Sequence, residues 1–324
     1  MPLDLRPMEA RRTDALPVGA GWRYEPKWDG FRCLAFRDGD KVELKAKSGK
    51  PLSRYFPEVV GRLGAVEAQR FVVDGELLIA AAEGLSFDAL QARLHPAQSR
   101  IDRLSSETPA LLMLFDCLFD GAKSLLDRPL SERRAALERL LEGSDARLPL
   151  TPFTDEHALA QSWLDRPESG LDGVVAKREE GPYLPGERAM VKVKRVRTAD
   201  CVVGGFRYLA GKPLVGSLLL GLFDAGDRLD HVGFTSTISN KERPELTRRL
   251  EALAGGPGFT GDAPGGPSRW ATERSGQWTP LRWELVCEVA FDQVTAGRFR
   301  HGTRLVRWRR DKSPEQCRCE QLRG

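Results

Sequence analysis

The order of apolar and polar positions predicts a first half in which strands and helices alternate. Residues 31–36 and 42–46 read as two strands, and the turn Arg37-Asp38-Gly39-Asp40 between them is a hairpin signal. Other patterns predict strands over 71–79, 111–116, 173–177 and 190–194, and helices over 55–63, 86–94, 131–141 and 156–164. Ser86 stands where a helix N-cap is expected. This half is therefore expected to be of the α+β class.

From about residue 198 the pattern changes to short strands. They are predicted over 201–206, 217–223, 229–235, 285–291 and 305–309, with one helix over 241–253 and a Gly/Pro-rich loop over 255–267. Five strands with one helix fit a small barrel of the OB type, a fold that often binds oligonucleotides. We place the boundary near 197–200, which gives domains 1–197 and 198–324.

Composition indicates a globular chain without a membrane span. The chain has 324 residues, of which 41% are apolar and 30% charged, and about two domains are expected for this length. No run of 18 apolar residues occurs and the N-terminus lacks a secretory signal pattern, so we expect a cytoplasmic protein. Most of the six cysteines lie in apolar stretches and are expected to be buried, and Cys317-Arg318-Cys319 lacks the spacing of a zinc site.

Positive charge is concentrated in two segments. The net charge is only +4, but residues 297–323 hold nine Lys/Arg against three acids, and residues 187–198 hold five against one. Such clusters suit a partner rich in phosphate. The alternative is a solvated basic face.

Polar residues interrupt the predicted strands where apolar residues are expected. Asp74 and Glu76 lie inside one strand, Lys177 ends another, and Lys192 and Lys194 share one face of a third, because side chains alternate along a strand. Each alone could be a rim charge at a strand end. Together they offer carboxylates for a divalent metal and lysines for phosphate oxygens.

A lysine nucleophile is suggested by the segment Lys27-Trp28-Asp29-Gly30-Phe31-Arg32. A lysine attacks only after its amine loses a proton, and its reference pKa is about 10.4. Cationic neighbours or desolvation lower that value, and here Arg32 is close in sequence and the apolar Trp28 is adjacent. With the polar strand residues, this segment indicates nucleotidyl transfer.

Six blocks of the chain resemble, in this order, the ATP-dependent DNA ligases of the covalent nucleotidyltransferase superfamily. They are Lys27 to Arg32, Asp74 to Glu76, Phe115-Asp116, Asp172 to Lys177, Met190 to Lys194 and Arg307 to Lys312. The chain looks most like the small stand-alone bacterial ligases and the ligase module of bacterial end-joining enzymes. The resemblance covers nearly the whole chain and implies an adenylyltransferase domain followed by an OB-fold domain. It also implies that the chain seals nicked duplex DNA in DNA repair, with ATP as cosubstrate.

The resemblance implies a role for each matching residue. Lys27 would attack the α-phosphate of ATP and carry AMP as a phosphoramidate, before AMP passes to the 5′-phosphate and the 3′-hydroxyl displaces it. Arg32 and Glu76 would hold the ribose, and Phe115 would stack on adenine. The full set expected to bind ATP is Glu25, Arg32, Glu76, Phe115, Lys177, Lys192, Lys194, Arg309 and Lys312.

The remaining roles concern catalysis, metal and DNA. Lys192 and Lys194 would neutralise the α-phosphate, and Asp29 would help at the nick. The expected ligands of Mg²⁺, or of Mn²⁺, are Asp29, Glu76 and Asp172. The expected DNA contacts are Lys47, Arg298 and Arg300. The barrel domain would close over ATP. This movement would bring to the ATP the residues that orient pyrophosphate, namely Arg309, Asp311 and Lys312.

Two of the departures from the family pattern affect expected site residues, whereas Met190 in place of a frequent tryptophan looks neutral. Ala46-Lys47-Ser48-Gly49 stands where Ser-Arg-x-Gly is common, so Lys47 replaces an arginine that helps hold the 5′-phosphate, and a lysine lacks the bidentate fork of arginine. Asp172 stands where glutamate is usual and is one methylene shorter. The distance to the metal and the choice between Mg²⁺ and Mn²⁺ therefore stay open.

Other functions remain as alternatives. An RNA ligase or an mRNA-capping guanylyltransferase uses the same lysine motif, although the block from Arg309 to Lys312 favours a DNA ligase. From another class, the chain could be a non-catalytic OB-fold protein that binds nucleic acid, but an intact Lys27 argues against it. We expect the protein to be a monomer. Its affinity for the DNA backbone is expected to fall as the salt concentration rises.

Overall fold

A computed structural model describes residues 4–81, 84–165, 171–265 and 277–322 of the chain. The chain separates into two compact units, Met1–Arg195 and Val196–Gly324. Each unit combines helices with mainly antiparallel sheet, so the predicted α+β class is confirmed.

The first unit consists of strands β1 to β11 and helices α1 to α5. Its strands are β1 (Ala10–Thr13), β2 (Trp22–Lys27), β3 (Phe31–Asp38), β4 (Lys41–Ala46), β5 (Arg70–Leu78), β6 (Ala80–Ala81), β7 (Gly84–Leu85), β8 (Leu111–Asp120), β9 (Lys123–Ser124), β10 (Gly173–Arg178) and β11 (Met190–Lys194). Its helices are α1 (Pro57–Gly64), α2 (Phe87–Ala92), α3 (Gln98–Glu107), α4 (Leu130–Leu140) and α5 (His157–Asp165), with a 3₁₀ turn at Ser53–Tyr55.

Two sheets of this unit pack against each other. One has the order β4-β3-β5-β8-β9, and the other has the order β1-β11-β10-β2, in which β1 pairs in parallel with β11. An apolar cluster draws on both sheets and includes Leu34, Val72, Leu118 and Met190. Helices α1 and α4 cover the first sheet and α5 covers the second. Because side chains alternate along a strand, Glu25 and Lys27 of β2, Lys177 of β10 and Lys192 of β11 can all face the space between the sheets.

The second unit consists of strands β12 to β19 and helix α6. Its elements are β12 (Arg197–Tyr208), β13 (Val215–Phe223), β14 (Leu229–Thr235), α6 (Arg243–Glu251), β15 (Thr279–Pro280), β16 (Val286–Phe291), β17 (Val294–Thr295), β18 (Arg298–Phe299) and β19 (Arg304–Trp308), with 3₁₀ turns at Pro314–Gln316 and Cys319–Leu322.

The sheet of the second unit closes into a barrel. Its strand order is β14-β13-β12-β16-β19, and a parallel bridge joins Thr235 of β14 to Thr303, the residue before β19. Helix α6 lies between the third and fourth main strands. This arrangement confirms the predicted barrel of the OB type.

Most elements of the first unit match the sequence patterns. The predicted hairpin forms as β3 and β4, and the Ser86 side chain caps α2 by accepting a hydrogen bond from the Ala89 N–H at 3.1 Å. The sequence did not predict β1, β2, α3 or the two-residue strands β6, β7 and β9. In β2, Glu25 and Lys27 occupy positions where a buried strand normally carries apolar residues, which hides the strand from a hydropathy pattern.

Helix α4 buries a less apolar face than its sequence suggests. The predicted helix over 131–141 forms, but its buried residues include Arg133 and Arg134. Arg133 donates to both oxygens of Asp116 at 2.7 and 3.1 Å, which explains how an arginine is accommodated there.

The cysteines and the helices agree with the expectations from composition. Five of the six cysteines are buried thiols and the sixth, Cys319, is partly buried. Within the described ranges, every helix is too short or too polar to cross a bilayer.

Gly173 allows β10 to start close to β11. Its φ of 154° lies in the region that favours glycine. A Cβ atom added there would lie 2.1 Å from the backbone oxygen of Val193. The chain therefore needs a glycine directly after Asp172.

We expect Gly173→Ala to lower the free energy of unfolding by at least about 2 kcal/mol, because the backbone and the neighbouring strand must both shift. Denaturant unfolding measures this loss. Gly61→Ala is the matched control, since Gly61 lies in α1 and an added Cβ meets nothing within 4 Å. That alanine should stabilise the helix by about 0.5–1 kcal/mol. Equal effects of the two substitutions would contradict the close contact at Gly173.

Candidate active site

A cavity of about 200 Å³ lies between the two sheets of the first unit. Strands of both sheets supply its polar lining. The strand residues that line it include Glu25 and Lys27 of β2, Arg32 of β3, Glu76 of β5, Phe115 of β8, Lys177 of β10 and Lys192 of β11. Lys47, an expected DNA contact, also lines the cavity, so the fold brings together eight of the predicted site residues, which are distant in sequence.

Lys27 is the last residue of β2, and Asp172 holds its amine. The ammonium forms an ion pair with Oδ2 of Asp172, whose side chain is only 2% exposed. The backbone supports this pairing, because the Asp172 N–H donates to the Lys27 carbonyl at 3.0 Å. Lys194 Nζ lies 3.6 Å from the same carboxylate oxygen. Asp172 thus fixes the position of the proposed nucleophile.

The two residues expected to activate Lys27 have other partners. Arg32 donates to both oxygens of Asp74 at 2.6 Å. Trp28 donates its indole N–H to a threonine side chain at 2.8 Å. Asp172, rather than Arg32 or Trp28, is therefore the residue whose side chain contacts the amine.

Arg32, Glu76 and Phe115 form one wall of the cavity. Arg32 and Glu76 are directly paired residues of β3 and β5. The Arg32 guanidinium lies 4.6 Å from the centroid of the Phe115 ring, and Lys177 Nζ lies 4.5 Å from it. An adenine that stacks on Phe115 would therefore share this ring with two cations.

Burial raises the pKa of Glu76 to about 7. The positive charges of Arg32 and Lys27 oppose this rise, whereas Asp74 and Asp29 add to it. Glu76 therefore changes its charge near neutral pH. As a carboxylate it can only accept a hydrogen bond, and as an acid it can also donate one.

A second ion pair, between Glu25 and Lys177, is buried at the cavity. Lys177 Nζ lies 2.6 Å from Glu25 Oε2, and both side chains are at most 5% exposed. The other carboxylate oxygen, Oε1, is buried and has no hydrogen-bond partner among the residues that the structure describes. A buried acceptor without a partner lowers the stability of the fold unless a ligand donates a hydrogen bond to it.

Lys192 belongs to a cluster of like charges. Burial lowers the pKa of Lys192, and the charges of Lys27, Lys47 and Lys194 act in the same direction, while Asp172 opposes them. An anion placed among these amines would relieve their mutual repulsion. The cluster is therefore suited to a phosphate group.

The residues present fit a divalent cation at Asp172. Its Oδ1 atom is buried and has no hydrogen-bond partner in the described part of the chain. Mg²⁺ is often held by one or two carboxylates together with substrate phosphates. The expected set of Asp29, Glu76 and Asp172 does not form one protein-only site, since no three His, Cys, Asp or Glu side chains of the described ranges are grouped to hold a metal.

In the second unit, Asp200 holds the residues expected to orient pyrophosphate. Arg309 Nη1 donates to both oxygens of Asp200 at 2.9 Å, and Lys312 Nζ donates to one of them at 2.8 Å. Arg309 also donates to both oxygens of Asp311 at 2.9 and 2.8 Å. Both cations are therefore already paired with a carboxylate of the second unit.

The expected DNA contacts Arg298 and Arg300 hydrogen-bond to uncharged side chains. Arg298 Nη2 lies 2.6 Å from His231 Nδ1, and Arg300 Nη1 donates to Gln293 Oε1 at 2.6 Å. Burial, and then the charge of Arg298, lower the pKa of His231 to about 3, so this histidine is neutral at physiological pH. Both contacts are made with uncharged groups, so neither contact neutralises the charge of its arginine.

Other arginines of the basic segment 297–323 pair with acids. Arg307 Nε lies 2.6 Å from Glu288, and Arg318 Nη1 lies 2.5 Å from Asp227. The local excess of positive charge in the sequence therefore overstates the charge that the segment can offer to a partner.

Several site residues were not identified from the sequence. Glu9 lines the cavity and forms a 2.9 Å ion pair with Lys47, the expected contact for the 5′-phosphate. Asp200 lies inside the apolar strand β12, which is the same signal that drew attention to Asp74. Tyr183 donates a hydrogen bond to Asp74 at 2.6 Å. It lies outside the strands, so no polar residue in an apolar strand pointed to it.

Comparison with known proteins identifies the family. Residues 7–194 match the model of the ATP dependent DNA ligase domain, and residues 211–312 match that of the ATP dependent DNA ligase C terminal region. The chain belongs to the ATP-dependent DNA ligases. The predicted family is confirmed, and these matches do not favour the RNA ligase, capping enzyme or binding-protein alternatives.

Curated relatives and solved structures agree with this assignment. The ligase is 44% identical to DNA ligase C1 of Mycolicibacterium smegmatis and 42% identical to DNA ligase C of Mycobacterium tuberculosis, each over 98% of this chain and 93% of the relative. The ligase domain of M. tuberculosis LigD has a TM-score of 0.54 and 29% identity, covering 98% of this chain and 99% of that domain.

Glu76 provides a pH-dependent test of the site. Its pKa is about 7 when folded and about 4.5 otherwise, so the unfolded ligase loses this proton at lower pH, and stability falls as pH rises through this range. Glu76→Gln lacks this titration. Between about pH 5 and pH 8, without ATP, the Tm of the ligase should fall relative to that of the variant by on the order of 3 °C. A pH-independent difference would contradict a buried acid at this position.

Proposed function

We propose that this ligase seals nicks between a 3′-hydroxyl and a 5′-phosphate in duplex DNA through a Lys27–AMP intermediate. The observation that carries the proposal is the position of the Lys27 amine, at the cavity, on the buried Asp172 and beside the cationic Lys192. In the first step the Lys27 nitrogen bonds to the α-phosphorus of ATP, and the bond to pyrophosphate breaks. AMP then passes to the 5′-phosphate, and the 3′-hydroxyl displaces it as the phosphodiester forms.

The chain supplies proton handling and charge neutralisation for this step. Asp172 Oδ2 faces the Lys27 amine, so it is the atom placed to hold the proton that the amine must lose. Lys192 and Lys194 supply positive charge to the α-phosphate. A divalent cation bound at Asp172 would add charge neutralisation, on which phosphoryl-type transfer largely depends.

The cavity wall suggests how the nucleoside is held. We propose that Arg32 and Glu76 contact the ribose and that Phe115 stacks on the adenine. Glu25 and Lys177 would bind the base, with the unsatisfied Glu25 oxygen as an acceptor for its N–H groups. The buried and incompletely bonded Glu25–Lys177 pair supports this assignment.

The remaining assignments concern DNA and pyrophosphate. We propose that Asp29 and Lys47 act at the nick, that Arg298 and Arg300 contact the DNA backbone, and that pyrophosphate is oriented by Arg309 and Lys312. The functional division into an adenylyltransferase domain, 1–197, and an OB-fold domain, 198–324, stays a prediction. The same holds for Mg²⁺ as the metal, the monomeric state, the cytoplasmic location and the role in repair.

Labelling with ATP tests the proposed nucleophile. The ligase is stripped with pyrophosphate, incubated with α-labelled ATP and Mg²⁺, and then given a nicked duplex. We expect covalent label on the unchanged chain, loss of the label when DNA is added, and sealing of the nick. Lys27→Ala should take up no label, because no amine can form the phosphoramidate.

Lys41→Ala is the control for this experiment, because Lys41 is an exposed lysine of β4 and should label normally. Label on Lys27→Ala would move the nucleophile to another residue. Label without sealing would retain the transfer of AMP but contradict nicked DNA as the substrate.

The role of Arg309 can be tested by measuring two reaction steps separately. Arg309→Ala should slow self-adenylylation with ATP by about 100-fold, because a charge that neutralises the leaving pyrophosphate is lost. Sealing of a nick that already carries 5′-adenylate should change by less than about threefold, because no pyrophosphate is present. The control is Arg318→Ala, another ion-paired arginine of the same segment. Equal losses in both steps would contradict a role at pyrophosphate.

A further inference from the structure

A closed ring of hydrogen bonds lies behind the cavity wall. Arg32 donates to the two oxygens of Asp74 at 2.6 Å and, from Nη2, to the carbonyl of Met8 at 3.3 Å. The Tyr183 hydroxyl donates to Asp74 Oδ2 at 2.6 Å and accepts from the Met8 N–H at 2.9 Å. Each of the four residues therefore bonds to two others of the ring.

The ring joins three separate parts of the first unit. Arg32 and Asp74 belong to β3 and β5, Met8 to the segment before β1, and Tyr183 to the connection between β10 and β11. Arg32 and Met8 line the cavity. Tyr183 is only 2% exposed. Its hydroxyl is hydrogen-bonded to Asp74, which in turn binds Arg32.

The Tyr183 hydroxyl is oriented by its two partners. Burial, and then the charge of Asp74, raise the pKa of Tyr183 well above its ordinary value, so the hydroxyl keeps its proton. Because the oxygen accepts from the Met8 N–H, its proton is directed at Asp74. Removing the hydroxyl would leave a fully buried carboxylate oxygen with one donor fewer, which favours a shift of that carboxylate.

Arg32 would follow any shift of Asp74. Both of its short hydrogen bonds go to this carboxylate, and together they form a bidentate contact that fixes the plane of the guanidinium. The position of the guanidinium at the cavity therefore depends on a residue that does not line the cavity.

We propose that Tyr183 is a positioning residue for the ATP site, which acts through Asp74 on the Arg32 guanidinium. The proposal rests on the proposed contact of Arg32 with the ribose of ATP. Tyr183 itself does not touch the nucleotide, so it should affect ATP binding only while Arg32 is present.

The test measures ATP binding by equilibrium dialysis in a Lys27→Ala chain, in which the nucleotide cannot react. Tyr183→Phe should weaken ATP binding about tenfold, because a misplaced guanidinium loses a charge-assisted contact. Tyr24→Phe is the matched control. Tyr24 is 1% exposed, and its hydroxyl donates to the Pro17 carbonyl at 2.7 Å within the cluster that faces α5. That variant should bind ATP within about twofold of the parent, although it also loses a side-chain hydrogen bond.

A double-mutant cycle shows whether the effect passes through Arg32. In an Arg32→Ala chain, Tyr183→Phe should change the dissociation constant by less than about twofold, because the coupled partner is gone. A tenfold loss that persists without Arg32 would overturn the proposal, and so would equal losses for the two tyrosine variants. A parent chain that binds no ATP would contradict the proposed function itself, and this inference with it.

Discussion

Two ion pairs between the sheets of the first unit each place a buried carboxylate against a lysine. Asp172 holds Lys27, and Glu25 holds Lys177. An unpaired charge in such a place would cost several kcal/mol of stability. The need for pairing therefore fixes the geometry of the site before any nucleotide binds.

Buried ion pairs in this unit differ in how completely they are bonded. The pair of Arg133 and Asp116 is well bonded, because Arg133 also donates to two backbone carbonyls at 2.6 and 2.9 Å. In contrast, Glu25 Oε1 and Asp172 Oδ1 have no hydrogen-bond partner in the described residues. The first pair joins α4 to β8 and needs nothing further. In the other two pairs, one carboxylate oxygen can still accept a hydrogen bond from a base or bind a cation.

In the second unit, the ion pairs of the residues proposed to orient pyrophosphate are partly exposed. Arg309 and Lys312 are both bound to Asp200, so their charges are compensated within the barrel. Ion pairs that are partly exposed contribute little to stability and can exchange partners at low cost. These two cations can therefore pass from a carboxylate to a phosphate without the penalty that a fully buried pair would impose.

The sequence alone was enough to propose candidate site residues and to identify the ligase family. Polar positions at intervals of two within apolar strands pointed to Glu76, Lys192 and Lys194, and six ordered blocks identified the ligase family. It also determined most strands and the barrel of the second unit. These features are local, because hydropathy and turn residues report the buried face of an element without reference to its neighbours.

Which charged residues contact each other depends on the tertiary structure. Lys27 pairs with Asp172 because β2 and β10 are neighbours in one sheet, and strand order is not encoded in the pattern of either strand. The same reason hid the role of Tyr183, which comes from an irregular connection and reaches Asp74 only in the folded unit. The basic segment near the C-terminus appeared strongly charged in the sequence, yet the fold places acids such as Asp200 and Glu288 against it. Periodicity shows which side chains are buried together, but contact between distant residues is set by how the elements pack.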